Sequence, residues 1–294
     1  MKQKHIGIIA VFISAIMWAL EPLFAKFSYV DATFLQTSIV RAYIVLLIAG
    51  SYILIKQDTP QLKVNKKKLS ALIYIAVIGT LGADLIYFYA LVNTPVLNAV
   101  LIGHLQPMFI ILIAFIFIKN ETLEKRNYLG IGLMILSAIF VSTKTMENVF
   151  ALSFGTMGDI LVLIATFFWA TTALIMRKYL KDIPSGVITF YRFFFASIIF
   201  TLFLPFVNIK YITINQTIIG VVVGIGTICY YEGLKRLKAA KVSGIELAAP
   251  VFAALIGFFI FNDSITLFQI VGIICLFLGV FLITSYKNPQ KKVS

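Results

Sequence analysis

The chain has 294 residues, 61% of them hydrophobic and 13% charged, with a formal net charge of +13. Soluble globular domains run at about 45–50% apolar and about 25% charged, so a bigger core does not account for this composition and an ordinary water-soluble fold is excluded. In a soluble protein the basic balance would suggest nucleic acid; here the positions of the charges account for it without one.

A helix that crosses a membrane needs about 20 mostly apolar residues. Ten such runs follow one another, at 6–28, 34–55, 69–92, 96–118, 127–143, 156–179, 187–209, 216–234, 242–261 and 266–285. The first follows MKQKH and so mimics a secretion signal. It has no small-residue cleavage site and continues past Trp18 to spanning length, which predicts a retained first helix. The fifth is the shortest. With the N-terminus inside, nineteen Lys and Arg fall in the inner segments 1–5, 56–68, 119–126, 178–186, 235–241 and 286–294. Only Lys144 and Lys210 fall in the outer loops. That bias predicts a multi-pass protein of the cytoplasmic membrane with both termini in the cytoplasm and a basic cytoplasmic tail, 286–294. Cys229 and Cys275 both lie within runs, where neither suggests a disulfide framework or a metal site.

The chain also repeats itself. Trp18-Ala19 and Lys26 recur as Trp169-Ala170 and Arg177 at an offset of 151, and Arg41 meets Arg192 at the same offset. Tyr89-Ala90-Leu91 and Pro107 correspond to Glu232-Gly233-Leu234 and Pro250 at an offset of 143. Glu121, nine residues before Gly130, parallels Asp263, nine residues before Gly272. The two units, 1–144 and 155–285, each hold five runs. Because five is odd, the second unit must enter the membrane inverted. The expected architecture is therefore an all-α integral membrane protein of ten transmembrane helices in two inverted five-helix repeats. Transporters recurrently use that plan, with substrate near the midplane between the halves.

The order of these motifs, W-A before a cation, an Arg in the second helix, Y-A-L before the fourth, a mid-helix Pro and an acidic residue before the fifth, resembles the EamA-type drug/metabolite transporters. The resemblance covers essentially the whole chain, once per half. It implies a ten-helix carrier of a small metabolite. The second half departs from the pattern with Asn262-Asp263 where the family more often has Gly-Glu.

Several polar residues stand inside the runs. Pro22 deprives the Trp18 carbonyl of its helical partner, and such breaks are tolerated only against protein or a water-filled cavity. Ser14, Trp18, Glu21, Ala25 and Ser28 share one stripe. An ionisable residue at that depth points to function, so Glu21 is read as lining a translocation cavity. The competing reading hydrates it near the outer interface, since Lys26 follows. Arg41 and Arg192 stay charged at any biological pH and need acceptors inside the protein. They either bind anionic substrate groups or hold structural knots of a carboxylate and helix-end carbonyls; their presence in both copies favours structure. Pro107 and Pro250 free the carbonyls of Gly103 and Glu246. His104 and Gln106 lie beside the first, Ser243 and Glu246 beside the second, and such paired breaks point to a binding site. His104 can equally be a satisfied buried histidine. Asp84 and Tyr87, three apart, share a face, with Tyr89 close by, and Tyr230, Tyr231 and Glu232 occupy the matching eighth run. Lys235 and Arg236 place Glu232 at an edge. Gly220 and Gly224 read as close helix packing.

The candidate substrate-binding set is therefore Trp18, Glu21, Asp84, Tyr87, His104, Gln106, Trp169, Tyr230 and Glu246. Arg41, Arg192, Pro22, Pro107 and Pro250 are assigned structural or gating roles. No cofactor or metal is expected. The function expected is a secondary carrier of a small organic metabolite, amino acid-, amine- or drug-like, working by alternating access as a monomer or homodimer in lipid. Buried carboxyls that exchange protons could couple it to protons; in the alternative, Glu21 and Glu246 only bind a cationic group. The other class is an integral membrane enzyme acting on a lipid-phase substrate, but H-E-x-x-H, G-x-S-x-G and Walker motifs are all missing.

Overall fold

The computed structural model describes residues 2–117, 124–151, 155–207, 211–237, 239–261 and 265–284. Ten helices long and apolar enough to cross a membrane run through them: α1 (Gln3–Ser28), α2 (Phe34–Lys56), α3 (Lys66–Ala90), α4 (Val96–Phe117), α5 (Lys125–Thr143), α6 (Met157–Leu180), α7 (Ser185–Phe206), α8 (Ile214–Arg236), α9 (Lys241–Phe261) and α10 (Leu267–Thr284). Among the described residues there is no strand. Large apolar side chains such as Leu47, Leu54, Phe117 and Phe259 stay exposed, as a surface solvated by lipid requires.

Local chemistry sets where several of these helices begin. On the face where the even-numbered helices start, α2, α6, α8 and α10 open with a threonine whose hydroxyl accepts from the backbone N–H three residues on. The side chain at that third position accepts in return from the threonine N–H. The pairs are Thr33 with Gln36, Thr156 with Asp159, Thr213 with Gln216 and Thr266 with Gln269. Each box satisfies two orphan donors at a helix end. α4 instead follows Pro95.

The packing is largely symmetric under exchange of the halves. α1 packs on α8 as α6 packs on α3; α1 meets α9 as α6 meets α4; α2 meets α8 as α7 meets α3. Three further pairs, α2 with α7, α4 with α9 and α5 with α10, map onto themselves, whereas the contacts of α4 with α1 and with α10 have no counterpart of similar extent. Most of the packing thus fits the expected inverted repeat. Small residues bring the axes together. A Cβ on Gly220 would stand 2.5 Å from the Ile44 side chain, and one on Gly224 3.1 Å from Ile48, so the G-x-x-x-G pair is the seat of α2 on α8. In the α5–α10 pair a Cβ on Gly130 would meet the Gly279 carbonyl at 2.9 Å.

Candidate functional site

Two helices break at corresponding places. α4 consists of Val96–Gly103 and Gln106–Phe117, and α9 changes at Leu247 between Ala239–Glu246 and Ala248–Phe261. Pro107 and Pro250 fall in the first turn of the second segments, where a missing N–H removes no helical bond of that segment. The cost falls on the carbonyls of Gly103 and Glu246, which lose their donors. His104 sits between the two breaks: its Nδ1 lies 2.7 Å from the Val100 carbonyl, and its ring stands against the backbone of Glu246 across the α4–α9 contact. The repeat partner of His104 is Leu247, which offers the Gly103 carbonyl no donor. Pro22, by contrast, sits in an uninterrupted helix, Lys2–Ser28.

α3 carries a different irregularity. Residues Ile75–Asp84 form a π-helical stretch between two α-helical ones, and it ends on Asp84. π turns concentrate at functional sites. Asp84 is buried and accepts from three side chains. Arg192 Nη2 stands 2.9 and 3.0 Å from its two oxygens, the Trp169 indole 2.7 Å from Oδ1, and Arg41 Nη2 3.4 Å from Oδ2. Arg41 also reaches Glu21 at 3.3 Å and stacks on the Phe88 ring at 4.2 Å. Arg192 donates further to the Thr80 hydroxyl and the Tyr231 phenol. Two buried guanidinium groups thus face two buried carboxylates, an arrangement whose attraction offsets desolvation only while every member is paired. Among the described residues the two arginines meet hydroxyl, phenol and aromatic groups where helix-end carbonyls were expected. The two structural knots are one network, with Asp84 shared.

Between the halves lies a cavity that leaves about 130 Å³ for the centre of a water molecule to move in. All nine candidate binding residues line it: Trp18 and Glu21 from α1, Asp84 and Tyr87 from α3, His104 and Gln106 from α4, Trp169 from α6, Tyr230 from α8 and Glu246 from α9. Pro107 and Arg192 line it too, whereas Arg41 and Pro22 stand behind it. Glu21 is buried on the cavity side and paired with Arg41, which overturns the hydrated-interface reading. Tyr89 is 54% exposed and packs edge-on against Phe34, away from the cavity. Glu232 pairs with Arg236 and accepts from Ser185. Glu121, Asp263 and the basic tail lie outside the described residues.

Sequence reasoning missed Thr172 and Thr227, both on the cavity wall. They stand at the repeat positions of Glu21 and Asp84, at offsets of 151 and 143, so carrying the repeat through residue by residue would have found them. Gly103 and Glu246 form a third such pair on the wall. Among the described residues no group of three His, Cys, Asp or Glu side chains comes together as metal ligands.

A ten-helix bundle with matched broken helices around a central cavity that carries a few polar groups is the build of a membrane transporter. The EamA-like transporter family profile matches residues 5–143 and again 156–285, and the chain belongs to that family. It is 26% identical over 249 residues to the uncharacterized transporter sll1164 of Synechocystis sp., covering 78% of this chain and 70% of that one. It is 25% identical to the uncharacterized transporter YyaM of Bacillus subtilis, covering 80% of each. Protein LicB of Haemophilus influenzae is 22% identical, covering 74% of this chain and 76% of that one. A solved crystal structure superposes with a TM-score of 0.69 at 17% identity, covering 95% of this chain and 97% of the other; that likeness shows the fold.

Proposed function

We propose that this membrane transporter is a secondary carrier that moves a small organic metabolite by alternating access, with substrate held in the cavity between its halves. The observation that carries the reading is the paired break of α4 and α9 at one cavity, with polar and aromatic side chains from both halves on its wall. Non-helical backbone at membrane depth is tolerated where it is buried in protein or lines a water-filled cavity, and broken helices at a repeat interface recurrently form transporter substrate sites. The largely exchange-symmetric packing supports alternating access, because two halves of like build can trade conformations around a fixed site. The nineteen-to-two distribution of Lys and Arg supports a cytoplasmic-membrane protein with both termini inside.

The test is counterflow. Purified full-length protein in liposomes preloaded with unlabelled metabolite pools should accelerate entry of the matching labelled compound over protein-free liposomes. A screen in which no pool gives protein-dependent entry would overturn the carrier reading.

A further inference from the structure

One carboxyl on the cavity wall stands without an ion-pair partner among the described residues. Arg41 and Arg192 are met by Glu21 and Asp84 in the network described above. Glu246 is a third carboxylate on the cavity wall and forms no ion pair among the described residues. Its side-chain partner is the Trp18 indole, a neutral donor. The remaining nearby cation, Arg177, faces the Tyr230 phenol.

Aromatic rings stand beside Glu246, and the one arginine on the cavity wall, Arg192, is committed to Asp84. The Trp18 and Tyr230 rings meet edge-on with centroids 6.4 Å apart, and Trp169 and Tyr87 meet at 5.1 Å on the opposite wall. Gly103, the repeat partner of Glu246, keeps the space beside Trp169 open: a Cβ there would find only that ring, at 3.7 Å. Its carbonyl has lost the N–H that Pro107 cannot supply. A lone carboxylate, an orphaned carbonyl and four aromatic rings make a site that repels anions and attracts cations by charge and by ring quadrupole. A cationic ligand would let this buried carboxyl ionise, whereas beside a neutral or anionic ligand it would have to hold a proton.

Building on the carrier reading, we propose that the cavity binds a small organic monocation, its ammonium head against Glu246 and the rings of Trp18 and Tyr230. Glu246 sets the charge selectivity, and the arginine network belongs to the scaffold. Single-charge size matches the single unmatched carboxylate.

The protein carries its own reporter, since Trp18 and Trp169 are its two tryptophans and both line the cavity. Full-length protein in lipid nanodiscs is titrated with tetramethylammonium, n-butylammonium, n-butyrate and n-butanol while indole fluorescence is followed. The two cations should give saturable changes that butyrate and butanol do not. Glu246→Gln should weaken cation binding by about tenfold or more, the effect of losing a desolvated charge contact, and Asp31→Asn in the exposed α1–α2 turn should leave it unchanged. Saturable binding of butyrate or butanol in place of the cations, or equal cation affinity in Glu246→Gln, overturns the proposal. If that variant does not fold, the wild-type selectivity among the four probes decides alone. Counterflow separates the two readings: a transported anion or neutral compound without cation binding defeats the monocation and leaves the carrier, while cation binding without flux of any compound defeats the carrier.

Discussion

One nitrogen of Arg192 on α7 stands 2.9 and 3.0 Å from the two carboxylate oxygens of Asp84 on α3, 108 residues away in sequence. The same carboxylate receives Arg41 of the first half, so a single side chain bridges the repeat-related arginines of both halves.

Removing that carboxylate charge leaves the buried Arg192 without a carboxylate and Arg41 with Glu21 alone. Asp84→Asn should destabilise the protein by about 3–5 kcal/mol, the usual cost of breaking a buried ion pair. Thermal unfolding in detergent should show a large fall in Tm. Glu21→Gln should cost less, because Arg41 keeps Asp84. Asp84→Asn combined with Arg192→Met should regain part of the loss, and equal Tm values for the single and double variants would contradict the network.

His104 stands between the two broken helices, bonded at Nδ1 to the Val100 carbonyl of α4 and set against the Glu246 backbone of α9. His104→Leu should cost about 1–3 kcal/mol, the price of one buried unsatisfied acceptor. Hydrogen exchange should speed up locally in the segment following Leu247, with α2 and α7 unaffected. Protection unchanged around the α9 break would show that the histidine does not hold it.

The seat of α2 on α8 depends on the missing Cβ of Gly220. Gly220→Val should destabilise by about 1–3 kcal/mol through overpacking against Ile44. Ile44→Ala in the same chain should restore much of the lost Tm. A Gly220→Val protein as stable as the parent would mean that the helices do not approach this closely.

The spans and the candidate residues were largely legible, because hydrocarbon forces long apolar runs and leaves few reasons for a polar residue inside them. Glu246, His104 and Gln106 stood out beside prolines at repeated positions. The sharing of Asp84 did not, since Arg41 and Arg192 lie 43 and 108 residues from it and no local period records such a contact. Tyr89, close to Asp84 in sequence, was not among the candidate residues. The helix turns it outward, while the π stretch delivers Asp84 and Tyr87 inward. The threonine boxes were visible as T-x-x-Q or T-x-x-D before four of the apolar runs; each marks a helix start that hydropathy alone left blurred.

Orientation rests on charge bias and can be read independently. In intact cells, a cysteine at Val30, in the exposed α1–α2 turn, should react with a membrane-impermeant maleimide. A cysteine at Lys63, between α2 and α3, should react only after permeabilisation, with Cys229 and Cys275 replaced by Ala in both cases. The reverse pattern would place the termini outside.

The central claim is that substrate crosses through the cavity between the halves, and filling that cavity tests it most directly. Gly103 has room for a side chain, so Gly103→Phe should fold while occupying the space beside Trp169. With the compound identified by counterflow, flux into proteoliposomes should fall to the protein-free level for Gly103→Phe and stay at the parental level for Gly132→Ala, at an open position off the cavity wall. Parental flux through a folded Gly103→Phe protein would contradict the account.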